Sequence, residues 1–500
     1  MSKFYATTPI YYVNDKPHIG HAYTDVAADV LARWHRLRGD DTFLLTGTDE
    51  NTLKLVQKAE KEGITPQAVA DRYAVRFEAL TETLNISNDA FIRTTDEAKH
   101  HPGAQEIWKR LESKNLIYKG TYEGLYCVDC ESYYTEKDLT DGKCPIHDTV
   151  PEKLKEKNYF FKLSTFTEKI GQLIASGKYQ VTPESRRNEI LSLIEEGLTD
   201  ISCSRLADKL TMGVPVPGDD SQRMYVWFEA LTNYLNGVGF PKDQTQFKRF
   251  WPADVHIIGK EIIRFHAAVW PAMLLAADLP LPKHLYVHGF FTVDGKKMSK
   301  SIGNVVDPFT VVEERGSDAL RYYLLSALPY ASDGDYSEQR FQEVYDSELA
   351  NDLGNLVSRV LALVEKKCDG KVPKGVVTPL GKKALDERRE KLENLMDQCK
   401  FSEALGHLNS YVSNANKFIG EFEPYKQEGQ ALHNSLYFLT QILGHLSLWY
   451  QPFIPEAAEK LQKQLGLKST GWTPETLAEL EKVPPGTTVT KGAPLFPKAK

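Results

Sequence analysis

Two short motifs in this 500-residue chain carry side chains suited to holding a polyphosphate. His18-Ile19-Gly20-His21 follows an apolar strand pattern and opens a helical one. A helix start offers unpaired N–H groups and the positive end of a dipole to phosphate. Imidazoles three apart share one side of that turn, and Gly20 leaves room for a base or ribose. Lys297-Met298-Ser299-Lys300-Ser301 follows the turn signal Asp294-Gly295. Its lysines are point charges on flexible stems, which suit a polyphosphate that must bind and then leave. Ser299 can hydrogen-bond the same phosphates. Alone, the first motif is equally a pair of capping histidines and the second a solvated basic loop. In this order, they point together to activation of a carboxylate by ATP.

A third cluster is more specific by itself. Cys127-x2-Cys130 and Cys144-x2-His147 match a closed tetrahedral zinc site of three thiolates and one imidazole. A full protein ligand set leaves no position for water, so the expected Zn²⁺ is structural, one per chain. Asp49, after Thr46-Gly47-Thr48, ends a strand and suits an α-ammonium group, whereas Arg205 suits a carboxylate or phosphate. Tyr225 to Tyr234 is an aromatic-rich segment, either core or the lining of an apolar pocket.

These residues need a scaffold. Phe4 to Thr8 reads as a buried strand, Ile19 to Arg38 as an amphipathic helix ended by Gly39, and Thr42 to Leu45 as a second strand. Ala90 to Ile92, Val255 to Ile258 and Leu285 to Thr292 read as further strands among helices. Alternating strand and helix predicts an α/β fold with a parallel, doubly wound, Rossmann-type sheet. Ligands bind such sheets at the carboxyl ends of the strands, where His18, His21 and Asp49 fall. The pattern is broken by an insertion and ends in helices. The expected division is 1–117 and 199–292 for the two halves of the Rossmann domain and 118–198 for the insertion with the metal knuckle. A loop and stem-contact region (293–346) and a helical bundle with its tail (347–500) follow.

Composition is consistent with such an enzyme. The apolar fraction is 41%, charged residues are 26% and the net charge is −7. That argues against a generally basic nucleic-acid coat and leaves room for a local basic stripe. The six cysteines are too few for a disulfide scaffold. No secretory start and no apolar run long enough to cross a bilayer is visible, so a cytoplasmic location without membrane contact is expected.

Taken as an ensemble, the chain resembles the methionyl-tRNA synthetases, in the bacterial form with a single zinc knuckle. Thr7 to Asn14, His18 to His21, Thr46 to Glu50, the knuckle, Asp200-Ile201-Ser202, Tyr225-Val226-Trp227, Val287-His288-Gly289 and Lys297 to Ser301 occur in family order. The resemblance implies formation of methionyl-adenylate from methionine and ATP, with Mg²⁺ accompanying the nucleotide. Transfer to the 3′ end of methionine tRNA, elongator and initiator alike, then follows. It assigns ATP to His18, Gly20, His21, Lys297, Ser299 and Lys300, with the histidines and lysines catalytic. It assigns methionine to Pro9, Ile10, Tyr12, Asp49, Arg205, Trp227, Ala230, Tyr234, Ile262 and His266. In the helical half Asn355, Arg359 and Tyr425 match anticodon readers, and a monomer is implied. Two departures stand out: Asn51-Thr52 where many relatives carry His-Gly, and Pro424-Tyr425 where Pro-Trp is usual. Synthetases for leucine, isoleucine or valine would carry a larger insertion. The alternative of another class is a catalytically silent paralogue that binds tRNA.

Overall fold

The computed structural model describes residues 2–146, 148–298, 303–330, 332–467, 479 and 481–498. Its centre is a six-stranded sheet in the order Ala90–Arg93, Asp41–Asp49, Lys3–Tyr12, Val255–Gly259, His284–His288, Gln180–Thr182. Every pairing in it is parallel. The chain winds outward from the first strand, β1 (Lys3–Tyr12), through helix α1 (Ile19–Leu37) to β2 (Asp41–Asp49), then later adds strands on the other side of β1. The change of direction beside β1 creates the crevice in which such sheets bind ligands.

Local chemistry explains these elements. Val255–Gly259 is buried at every residue, as a central parallel strand requires. Gly47 has no alternative in β2, because a Cβ there would lie 2.0 Å from the carbonyl oxygen of Ile92 on the neighbouring strand. β1 runs four residues past the expected end at Thr8, through a register shift between Thr7 and Ile10. β2 likewise extends to Asp49, so both elements deliver side chains directly to the crevice. The expected strand over 285–292 is two strands: His284–His288 stays in the main sheet, and Phe291–Val293 joins a small separate sheet with Lys296–Lys297 and Gly334–Tyr336. Gly289 marks the break. A Cβ there would lie 2.3 Å from the Ser332 carbonyl oxygen, so the chain turns where only glycine fits.

The insertion forms its own antiparallel sheet of Ser132–Tyr134, Ile117–Cys127, Glu152–Phe161 and Ile201–Ser202. Within the span expected for the insertion, Gln180–Thr182 pairs with His284–His288 in the main sheet. Three residues between two amphipathic helices are too few for periodicity to reveal such a strand. The C-terminal half is helical, and the last described segment lies across it: the Tyr345 hydroxyl donates to the Pro497 carbonyl at 2.7 Å, and Val372 N–H donates to Thr487 O at 2.9 Å. Among the described residues no helix is long and apolar enough to cross a membrane.

One side chain joins the halves. Arg321, on helix Ser317–Ala327, is fully buried. Its guanidinium pairs with Asp29 of α1 at 2.7 Å and donates to the carbonyls of Leu84 (3.0 Å), Phe453 (3.0 Å) and Pro452 (2.7 Å). Burial alone would raise the Asp29 carboxyl, but Arg321 and Arg33 outweigh it and hold it below its ordinary range. Asp29 therefore stabilises the fold above the unfolded carboxylate pKa of about 4, and that contribution is lost as pH falls through the lower folded value. Replacing Arg321 by Leu takes one of two cations from the buried Asp29 carboxylate, leaving Arg33 at 2.7 Å, and is expected to cost about 3 kcal/mol. Denaturant unfolding at pH 7 measures this, and the penalty should shrink in acid as Asp29 takes up a proton.

Candidate active site

The N-terminus of α1 is built by its own histidines. His18 is the N-cap, and its Nδ1 accepts from Gly20 N–H at 3.1 Å; the His21 Nδ1 accepts from His18 N–H at 3.1 Å. An imidazole whose Nδ1 accepts carries its proton on Nε2 when neutral, and that N–H can donate to a phosphate. The two rings lie 3.9 Å apart. A Cβ on residue 20 would meet the His18 ring at 2.9 Å, so Gly20 allows the ring to fold over the turn. Tyr11 packs edge-on against His21 at 4.8 Å and donates its hydroxyl to Asp25 at 2.8 Å, fixing the second histidine from below.

Beside this turn, aromatic side chains from four elements converge. Tyr12 ends β1 and meets Trp227 edge-on at 6.1 Å; Trp227 stacks on Phe265 at 4.0 Å. Pro9, Ile10 and Ile262 are half-buried, whereas Ala230 and Tyr234 are buried. His266 donates from Nδ1 to the Ile262 carbonyl (3.0 Å), so its Nε2 accepts the Tyr234 hydroxyl at 2.7 Å. Burial pulls His266 down to about 4, which keeps it neutral in this role.

Two polar atoms interrupt this apolar wall. Asp49 Oδ1 and the Tyr12 hydroxyl are buried, and neither has a hydrogen-bond partner. Asp49 is pushed well above the usual carboxylate range, first by burial and then by the nearby Glu229, Glu131 and Glu50. Each of those neighbours is otherwise engaged. Glu50 is bound by Arg93 at 2.7 Å, and Glu131 accepts the Lys54 amide at 3.0 Å. Glu229 contacts His100 and accepts from the Asn51 amide at 2.9 Å. Burial pushes Glu229 up to about 8, so it keeps its proton at neutral pH. Asp49 is thus the acid with an orphaned oxygen, and a buried orphan is costly unless a ligand completes it. A cationic amine fits that need.

The Asn51-Thr52 departure has a structural reading here. Asn51 ties Glu229 and the Thr94 carbonyl, and Thr52 caps helix α2 (Leu53–Glu62) by accepting from Leu55 N–H at 3.2 Å.

Arg205 is engaged by the insertion. Its guanidinium is bound two-pronged by Glu156 at 2.9 and 3.1 Å, lies 4.5 Å above the Tyr126 ring, and is 4% exposed. It joins the insertion sheet to the strand Ser204–Leu206 that carries it. Sequence spacing could not show this, because Glu156 lies 49 residues away on a strand of the insertion.

The thiol sulfurs of Cys127, Cys130 and Cys144 lie within 4.8 Å of one another, so the cluster can bind a metal. His147 lies outside the described residues. Ser299 and Lys300 also lie outside them, and of Lys297 the backbone is described: it pairs with Thr292 beyond the hairpin turn at Asp294-Gly295. In the helical half Asn355 and Arg359 are exposed on helix Asn355–Cys368. Tyr425 stands in a turn after helix Phe401–Phe422 and donates to Glu423 at 2.8 Å. Arg359 is near enough to act on the Tyr425 hydroxyl, so the fold brings these two onto one surface. Phe422, which ends that helix, is an exposed aromatic stacked on Phe418 at 4.4 Å. Spacing does not single out Phe265, Glu131 or Glu229, whose contacts join distant segments.

A parallel α/β crevice with a histidine-capped helix start, followed by a cysteine knuckle and a helical domain, defines a class I aminoacyl-tRNA synthetase. The description "tRNA synthetases class I (M)" matches residues 4–148 and 135–361, and "Anticodon binding domain of methionyl tRNA ligase" matches 377–500. The chain belongs to the methionyl-tRNA synthetase family. It is 43% identical to the methionine–tRNA ligase of Clostridium acetobutylicum over 99% of this chain and 78% of that one. It is 44% identical to that of Brucella suis over 92% of this chain and 91% of the other. The Mycobacterium tuberculosis methionyl-tRNA synthetase in complex with methionyl-adenylate superposes with a TM-score of 0.94 at 39% identity, covering 99% of this chain and 100% of that one.

Replacing Asp49 by Asn should cost about 2–5 kcal/mol of methionine affinity and leave ATP affinity unchanged. Titration calorimetry checks this. Methionine affinity of the native chain should fall as pH is lowered through a range well above 4, where Asp49 gains its proton, and the Asn variant should lack that dependence.

Proposed function

We propose that this chain activates L-methionine with ATP and transfers the methionyl group to methionine tRNA, initiator included, through the residues described above. The observation that carries the reading is the pair of orphaned buried polar atoms, Asp49 Oδ1 and the Tyr12 hydroxyl, set in an aromatic wall beside the His18–His21 turn. Asp49 takes the ammonium group. Pro9, Ile10, Tyr12, Trp227, Ala230 and Ile262 surround the side chain, and an aromatic box suits a polarizable thioether. Tyr234 and His266 close its far end. The methionine carboxylate attacks the α-phosphorus in line, and pyrophosphate leaves. No covalent nucleophile of the protein is needed: positioning and charge stabilisation supply the rate. The Nε2–H groups of His18 and His21 donate to the phosphates, Gly20 admits the nucleotide, Ser299 hydrogen-bonds the phosphates, and Lys297 and Lys300 neutralise the triphosphate as charge moves to the leaving group. Mg²⁺ accompanies ATP.

Cys127, Cys130, Cys144 and His147 hold one structural Zn²⁺, since soft thiolates with an imidazole are a zinc donor set. The chain works as a cytoplasmic monomer. Asn355, Arg359 and Tyr425 read the anticodon, by hydrogen bonding from the first two and stacking on the third.

Amino-acid-dependent ATP–pyrophosphate exchange across the twenty amino acids tests the reading. Exchange with methionine alone supports it. Strong exchange with another amino acid overturns the pocket assignment, and none at all favours a silent tRNA-binding protein. For the anticodon, Tyr425→Ala should lower kcat/KM for tRNA by about 1–3 kcal/mol equivalent without changing pyrophosphate exchange; unchanged charging would remove Tyr425 from that surface.

A further inference from the structure

The metal knuckle and the methionine pocket meet at one residue. Glu131 follows the second cysteine of the cluster, is 3% exposed, and has a left-handed backbone with φ of 49°. A non-glycine residue adopts that conformation rarely and at a cost, so its surroundings must hold it there. They do so from three directions. Glu131 Oε1 accepts the amide of Lys54 at 3.0 Å, in the first turn of α2, just beyond Asp49 to Thr52. Its Oε2 accepts the Tyr126 hydroxyl, one residue before Cys127. Its carbonyl accepts the Tyr225 hydroxyl. Tyr225 is the N-cap of helix Val226–Ala230, which carries Trp227 and Ala230.

Two further contacts run in parallel. The Trp227 indole nitrogen lies 3.5 Å from the Cys130 carbonyl oxygen, and Lys54 pairs with Asp129 at 2.8 Å. The loop between Cys127 and Glu131 is therefore bonded both to the segment leaving Asp49 and to the helix that presents Trp227.

We propose that Glu131 is a positioning residue through which the knuckle sets the geometry of the methionine pocket, aligning Trp227 with Asp49. It does not touch substrate. Its effect falls on methionine and not on ATP, because the His18–His21 turn shares none of these bonds. The inference rests on the assignment of this pocket to methionine and of the cysteine cluster to a metal.

Three variants test it: Glu131→Ala, Glu131→Gln and Tyr225→Phe. Measurements are methionine affinity by calorimetry, KM for methionine and for ATP in pyrophosphate exchange, and metal content by atomic emission. Glu131→Ala should weaken methionine binding about tenfold or more, the scale on which such supporting bonds act, with KM for ATP unchanged. Glu131→Gln keeps an acceptor for Lys54 and should restore methionine affinity to within a few-fold of the native chain. Tyr225→Phe removes one hydroxyl, leaves the cluster and its carboxylate neighbour in place, and should still raise the methionine KM several-fold with metal retained. It decides the matter if Glu131→Ala fails to fold. Native methionine affinity in Tyr225→Phe, or equal losses for methionine and ATP in any folded variant, overturns the proposal. A native chain without metal defeats the metal assignment alone, and one without methionine exchange defeats the pocket assignment. Each failure is thus distinguishable.

Discussion

The buried pair of Arg321 and Asp29 ties this molecule together. A guanidinium with no access to water must have its charge balanced and its N–H groups occupied. Here the charge is balanced by α1, the helix that His18 caps, and the N–H groups are taken by carbonyls of Leu84, Pro452 and Phe453. One side chain thereby links the catalytic sheet to the far end of the helical half. Asp318, three residues before it, adds to the same junction by accepting the Ala457 amide at 2.6 Å at the start of helix Pro455–Gln464. An enzyme that must reach both ends of a tRNA needs its two halves held at a defined spacing, and polar bonds of fixed geometry provide that better than apolar contact alone.

The active site follows an opposite logic. Its acids are gathered into a buried patch and then silenced one at a time: Glu50 by Arg93, Glu131 by an amide and a hydroxyl, and Glu229 by keeping its proton. Asp49 alone retains an unmatched oxygen. The surrounding engagement thus singles out one carboxylate oxygen, because an unengaged second carboxylate would compete for any cation brought there. The neutral His266 serves a similar end, presenting an acceptor to Tyr234 without adding charge to an apolar pocket.

Much of this was written in local sequence. The strand-and-helix alternation, the histidine pair at a helix start and the paired cysteines all depend on residues within a few positions of each other. Their spacing maps directly onto one turn or one hairpin. Asp49 was visible because it ends a strand, a place where open α/β sheets put functional groups. Other features were not legible for a common reason. Arg205 could be recognised as a cation but not as the partner of Glu156. Glu131 sits in a motif read for its cysteines, and Phe265 and Phe422 look like any aromatic on an amphipathic helix.

The sequence alone therefore determined which local units form and which chemical groups they carry: two imidazoles at a helix start, a thiol cluster, an acid at a strand end and an aromatic segment. Tertiary structure decided which of those groups face one another. It turned Arg205 toward the insertion, left Asp49 with an orphaned oxygen among engaged acids, and joined the knuckle to the pocket through Glu131. The physical reason is that side-chain periodicity and turn chemistry act over a few residues, whereas pairing of buried polar groups is settled between segments 49 to 292 residues apart, where only the packed fold brings donor to acceptor.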